Sequence, residues 1–407
     1  MSPVRHLWKP VATVLAAVGL AVAPSAAPLA GAADDVELAV QPPGGGTPDL
    51  TLVHALPGGM NLWHMPLAEV GGAFAAPQLA TTLASGGFSY AASRTLAGDF
   101  GDITGSDDGT ADQVVWHAQP DDAVILWAVP GAADRAPRLW ATLRGGGWSW
   151  RDSTPVAGDV NADGWDDLVV LHRNGPGTNI WVFLSDGTRL AETPSEVTYN
   201  PYLAFGTVRA AIADVSGDGY GEIVLFRPDP SSGGVQTVVA WKQAGSFAGA
   251  ATGVWVIGTA SGGGWSYAGS RQLIGTVRPG GTPSIIHLHA QGANPGILVW
   301  EQPLVPAPGA PGPAVLAGAP EVWQDLRSGG WSWTGSRQVL ADTNADGLDD
   351  LVSVHDQGAA GGELVWRHVS TGAGLLAPQV IADLRTGGWS FGASREDVAV
   401  PRPAALG

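Results

Sequence analysis

Residues 159–167 read DVNADGWDD, and residues 342–350 read DTNADGLDD. Each nonapeptide sets an oxygen-bearing side chain at positions 1, 3, 5 and 9 and offers a backbone carbonyl at position 7. In the first copy these donors are Asp159, Asn161, Asp163, the Trp165 carbonyl and Asp167. In the second they are Asp342, Asn344, Asp346, the Leu348 carbonyl and Asp350. Glycine at position 6 permits the tight turn that gathers them. Hard, carboxylate-rich oxygen donors suit Ca²⁺, whereas Zn²⁺ would draw His or Cys. The loop is not an EF-hand, because Val170 stands where the twelfth-position Glu would be and an apolar β-branched run follows instead of a helix. Asp, Asn and Gly also make ordinary turns, so the weight of the metal reading rests on repetition.

A third copy, DVSGDGYGE, offers Asp214, Ser216, Asp218, the Tyr220 carbonyl and Glu222. A fourth, DFGDITGSDDGTAD, is interrupted by an insertion; Asp108 and Asp112 fit its end, and Asp99 or Asp102 its start. The corresponding GTVRPGGTPS at 275–284 carries no carboxylate and is expected to bind nothing.

Around the loops, three features recur in register. Short apolar runs end at His54, His117, His172, Arg227, His289 and His355. A second run carries Trp63, Trp127, Trp181, Trp241, Trp300 and Trp366. The third feature is GGFSY at 86, GGWSW at 146 and 329, GGWSY at 263 and GGWSF at 387, replaced in one unit by VTYNPYLAF. The period, about 55 to 66 residues, suits a four-stranded propeller blade. Runs such as LVVLHR and NIWVFL are short, apolar and bounded by Gly, Asp or Pro, and no stretch keeps a capped helical period. The expected fold is therefore an all-β propeller over 49–401, with six four-stranded blades preferred and seven possible. The terminal REDVAVP matches the strand before each acidic loop, so it should pair with the N-terminal strands and close the ring.

The segment VAGDVNADGWDDLVVLH resembles the FG-GAP (VCBS) repeat of integrin α-subunit propellers and many secreted bacterial proteins. The resemblance implies structural Ca²⁺ in the acidic loops of a β-propeller. LHR or VHD stands in place of the family's Gly-Ala-Pro segment, so no integrin-like partner surface is carried over.

Residues 1–33 read as a secretory signal peptide, with Arg5 and Lys9 before VATVLAAVGLAVA and small residues after it. Residues 34–48 form a leader of poor pattern. The protein is expected to be secreted and extracellular, without membrane insertion. The chain has no Cys and a net charge of −17, which disfavours nucleic acid and leaves metal as the means of tying down loops.

Strand direction puts the His/Arg ends and the Gly-Gly-Trp turns on the face away from the acidic loops. Aromatic rings beside imidazole, guanidinium and hydroxyl groups suit sugars, whose C–H faces stack and whose hydroxyls need partners. Candidate ligand residues are Trp148, Trp265, Trp331 and Trp389, with Phe88, and the arginines of a recurring Ser-Arg: Arg94, Arg271, Arg337 and Arg395. The competing reading is packing, since Trp also fills wedges between blades. No catalytic constellation stands out: the carboxylates belong to loops and the His residues recur once per blade. His287 and His289 on one strand are the single local departure. The sequence thus points to a calcium-stabilised, lectin-like binding protein, with a protein-interaction scaffold as alternative and a polysaccharide-active enzyme behind both.

Overall fold

A computed structural model describes residues 38–39, 47–85, 87–101, 111–131, 136–145, 147–240, 255–262, 264–291, 296–308, 314–328, 330–358 and 361–399. Residues 1–33, expected to be a signal peptide, and Asp102, Asp108 and Trp241 lie outside these residues.

The strands form six antiparallel blades. From the inside outward, blade three is Ser153–Gly158, Asp167–Asn174, Gly177–Phe183 and Glu196–Asn200. Blade two begins at Ser93–Gly98, blade four at Arg209–Ala213, blade five at Ser270–Gly275 and blade six at Ser336–Ala341. Blade one takes its innermost strand, Ser394–Ala399, from the far end of the chain and pairs it with Asp49–Leu56, Asp49 opposite Ala399 and His54 opposite Ser394. The innermost strands contact one another in sequence around the ring, so the blade count is six and the closure is the one expected. Blade five carries an additional strand, Val315–Ala317. Leu38–Ala39, from the leader, runs parallel to Arg209–Ala213 and does not found a seventh blade.

The sequence explains the strands. Each second strand reads as a nearly continuous apolar run, and in the structure it is covered on both faces: Leu168, Val169, Val170 and Leu171 are all buried. In four of the third strands the Trp sits half-buried beside a register shift against the outermost strand, at Leu62/Trp63, Leu126/Trp127, Val299/Trp300 and Val365/Trp366. The cores lie between blades. One cluster joins Leu96, Val114 and Trp116 of blade two to Leu168, Val170 and Phe183 of blade three. Blades five and six depart from apolar wedges. His287 and Gln302 in blade five, and Ser353 and His368 in blade six, take positions held elsewhere by residues such as Val115, Val170, Leu225 and Phe183.

Candidate functional site

The three intact acidic loops share one hydrogen-bonded template. Asp159 accepts from the backbone N–H of Asn161 (3.1 Å), Ala162 (2.7 Å) and Gly164 (2.6 Å). Asp214 accepts from Gly217 (2.7 Å), Asp218 (3.1 Å) and Gly219 (2.8 Å), and Asp342 from Asn344 (3.3 Å), Asp346 (3.2 Å) and Gly347 (2.9 Å). The fifth residue caps the seventh: Asp163 accepts from Trp165 (2.9 Å), Asp218 from Tyr220 (3.0 Å) and Asp346 from Leu348 (2.8 Å). Asn161 and Asn344 donate to Asp163 (2.8 Å) and Asp346 (2.9 Å).

The ninth residue opens the second strand and is buried in every case, as Asp49, Asp112, Asp167, Glu222, Ser284 or Asp350. Asp167 accepts from Val160 (3.0 Å) and Ser185 (2.7 Å), and Glu222 from Val215 (2.8 Å) and the Ser216 hydroxyl (2.8 Å). Burial pushes these carboxyls up, to about 8 for Asp167, about 7 for Glu222 and about 6 for Asp350. Desolvation penalises the anion, and a neighbouring cation would reverse that penalty. In the third copy Asp214, Asp218 and Glu222 bring carboxylate oxygens within 4.8 Å of one another, the one such acidic or imidazole triad among the described residues. The longer Glu222 side chain reaches the loop centre where the shorter Asp of the other copies does not complete such a triad. That donor set, all oxygen and mostly anionic, fits a hard divalent cation.

The remaining positions differ. Asp99 and Asp112 flank the insertion and are buried, while Asp108 lies outside the described residues. In blade five Arg278 takes the third loop position and is directed at the buried Glu301 carboxylate. In blade one, whose innermost strand is Ser394–Ala399, Asp49 is held by His64 Nδ1 (2.8 Å) and the Met65 N–H (3.0 Å).

Sequence reasoning missed the eighth residue. Asp166 accepts from the Asp99 N–H of blade two (2.7 Å), and Asp349 from the Thr276 N–H of blade five (2.7 Å). Each loop is thereby fastened to the preceding blade, and only a Gly approaches closely enough: a Cβ on Gly98 would lie 2.7 Å from Asp166, and one on Gly275 2.5 Å from Asp349.

On the opposite face, the Gly-Gly-Trp rings reach the following blade. The second glycine of each turn has a left-handed φ, between 84° and 94° across Gly87, Gly147, Gly264, Gly330 and Gly388. Trp148 lies 5.5 Å from His172 and 4.0 Å from Trp181; Trp331 lies 5.2 Å from both His355 and His368. Trp265 meets His287 at 5.1 Å and His289 at 5.5 Å, and Trp389 meets His54 and Trp63, both at 5.4 Å. All four rings are half-buried, while Phe88 is buried against His117 and Trp127. His287 and His289 are committed: one Nε2 meets Gln302 (2.9 Å) and the other accepts from Ser266 N–H (3.2 Å).

The Ser-Arg arginines are latches between blades. Arg271 stacks 4.1 Å over Trp333 and donates to the Ser336 carbonyl (2.9 Å). Arg337 stacks 3.8 Å over Phe391 and pairs with Glu396 (2.7 Å). Arg94 over Trp150 and Arg395 over Tyr90 repeat the arrangement at 4.2 and 4.1 Å, and Arg209 joins it over Tyr267 at 4.1 Å. Five of six junctions are closed this way. At the junction of blades three and four Thr154 replaces the arginine, and Arg173 stacks on Phe205 at 5.0 Å instead.

Residues 159–225 match the family model described as FG-GAP-like repeat, a segment that spans the first and third acidic loops named above. No curated protein matches the chain. Among solved structures, an Agrocybe aegerita lectin, described as recognising non-reducing terminal N-acetylglucosamine, is 15% identical over 87% of this chain and 85% of its own, with a TM-score of 0.53. An Aleuria aurantia lectin mutant in complex with Fucα1-6GlcNAc is 14% identical over 84% of this chain and 98% of its own, at 0.42. An exotype rhamnogalacturonan lyase is 13% identical over 89% and 73%, at 0.36. The first shares the fold; the other two are too distant to add to it.

Proposed function

Proceeding from a six-bladed propeller that carries an FG-GAP-like repeat over residues 159–225, we propose that this is a secreted, calcium-stabilised carbohydrate-binding protein that acts through the face opposite its acidic loops. The observation that carries the reading is the ring of half-exposed tryptophans Trp148, Trp265, Trp331 and Trp389, set at equivalent places on that face. Aromatic surface repeated around a closed ring favours multivalent capture of a repeating ligand over single-centre catalysis. The lectin propeller of similar fold supports the same reading. No catalytic role is assigned to any residue.

Calcium belongs to the reading as a structural ion. Asp214, Asp218, Glu222 and Ser216 would hold it in blade four, with Asp159, Asn161, Asp163 and Asp167 in blade three and Asp342, Asn344, Asp346 and Asp350 in blade six. Bound there, it supplies positive charge to carboxylates that burial otherwise pushes toward protonation.

A protein-interaction scaffold is the second reading. It is favoured by Leu79, Leu139, Val197, Val256, Val322 and Val380, which stand exposed at equivalent places on the six outermost strands. A glycan array probed with the protein in calcium separates the two. Saturable binding to a defined sugar supports the carbohydrate reading, and its weakening in Trp331→Ala measures the share of the Gly-Gly-Trp turns. A blank array with folded protein overturns it in favour of the scaffold.

A further inference from the structure

The junction of blades three and four is where the repeat's aromatic turn has been rewritten. Elsewhere the turn tucks its ring against the next blade. Here the outer strand Glu196–Asn200 runs into Pro201, Tyr202, Leu203, Ala204 and Phe205, and Tyr202 points away from the protein. It is 74% exposed, the most of any exposed large hydrophobic side chain among the described residues, and Tyr199, three residues earlier, is 38% exposed.

The backbone under Tyr202 is fixed on every side. Its N–H donates to Oδ1 of the buried Asn200 (2.8 Å), and its carbonyl accepts from Arg227 Nη1 (3.0 Å). The next residue, Leu203, is fully buried, and its carbonyl accepts from the Thr178 hydroxyl (2.7 Å). Arg227 is itself braced by Gln236 (2.8 Å). An aromatic ring held in water contributes nothing to folding through burial, yet a rigid one loses little freedom when a ligand covers it.

The neighbouring groups indicate which ligand. The hairpin after His172 lies against Tyr199, whose ring would sit 2.8 Å from a Cβ on Gly177. That hairpin presents the exposed Asn174 and the half-buried Asn179, joined Nδ2 to Oδ1 (3.1 Å). The two arginines nearby are engaged, Arg173 with Asp152 (2.6 Å) and Arg227 with Gln236 and the Tyr202 carbonyl. Engaged cations leave little to attract an anionic ligand. Two tyrosine faces beside neutral amides match a saccharide, which offers C–H faces and uncharged hydroxyls.

We infer that Tyr202 and Tyr199, with Asn174 and Asn179, form the strongest saccharide site of the ring, one asymmetric platform at the junction of blades three and four. This rests on the carbohydrate reading above and gives it a principal address. The test is a glycan array of mono- to tetrasaccharides with the full chain in calcium, followed by titration of the best hit into wild type, Tyr202→Ala, Tyr202→Phe and Trp331→Ala.

The expected result is a roughly tenfold or greater loss of affinity in Tyr202→Ala, near-normal binding in Tyr202→Phe, and a smaller loss in Trp331→Ala. The melting temperature of Tyr202→Ala should match wild type, because the ring is exposed. Undiminished binding by Tyr202→Ala, with loss in Trp331→Ala, overturns the platform and leaves the carbohydrate reading standing on the Gly-Gly-Trp turns. A blank array with folded wild type overturns both.

Discussion

The Arg278 guanidinium grips the Glu301 carboxylate through two nitrogens, Nε at 2.6 Å and Nη2 on the other oxygen, and Glu301 also accepts from the Ser284 hydroxyl (2.7 Å). Ser284 stands at the ninth position of the blade-five loop, where other blades place a buried carboxylate. The acid has moved to the third strand, and a guanidinium from the loop neutralises it. Blade five thus supplies its own cation to its buried acid.

Arg278→Met should therefore destabilise the protein by about 3 kcal/mol or more, because Glu301 keeps its burial and loses its partner. Calcium should not restore the loss, since the loop carries no carboxylate. Urea unfolding with and without calcium checks this. Full rescue by calcium would mean that the loop can recruit the ion after all.

Chelation should lower the melting temperature of wild type, since an ion bound only to the folded state stabilises it by about 2.7 kcal/mol at a hundredfold excess over Kd. Glu222→Gln should remove part of that calcium-dependent increment, because it neutralises one arm of the triad with Asp214 and Asp218. Calorimetric scans in calcium and in chelator, with metal content measured on the same samples, decide it. Identical scans and no bound metal would remove calcium from the account.

The ring closes on a pair of buried acids. Glu363 is pushed up to about 8, first by burial and then by Glu396, which itself is raised by burial and held by Arg337. A raised carboxyl keeps its proton in the folded chain and releases it in the unfolded chain near the ordinary value of 4.5. Its contribution is thus complete below that value and is lost as pH rises through about 8. Glu363→Gln, measured in calcium, should match wild type near pH 4 and exceed it near pH 9 by up to about 5 kcal/mol. A difference that does not grow with pH would show that Glu363 is ionised throughout.

Arg271 stands for the five latches. Arg271→Lys keeps the charge but loses the planar group that stacks on Trp333 and reaches the Ser336 and Trp333 carbonyls together. It should cost about 1–2 kcal/mol and Arg271→Ala somewhat more, read by urea unfolding. Equal stability of the lysine variant and wild type would reduce the latch to a charge effect.

The fold was legible because its signals are local and repeated: apolar runs of strand length, a Trp in each third strand, and a C-terminal segment matching an innermost strand. The acidic loops were legible for the same reason. What local pattern could not carry were relations between blades. Asp166 and Asp349 read as a second acid beside Asp167 and Asp350, yet their partners are N–H groups of the preceding blade, far away in sequence. Arg271 and Arg337 suggested an open ligand face, and the structure places both against the aromatic turn that leads into the next blade. Tyr202 belonged to a segment that looked like a decayed motif, and only burial on both sides of it shows how it is held out.

The fourth loop position offers a last test. Ala162 and Ala345 adopt left-handed backbone, at φ of 62° and 56°, where the third copy has Gly217 at 77°. A side chain there costs roughly 1–2 kcal/mol, against about 0.5–1 kcal/mol for the added freedom of glycine when unfolded. Ala162→Gly and Ala345→Gly should each stabilise the protein by about 0.5 kcal/mol. The gain should be larger in chelator than in calcium if the bound ion already holds the turn in shape. Urea midpoints under both conditions measure it, and a loss of stability in either variant would mean that the alanine methyl makes contacts worth more than the strain it carries.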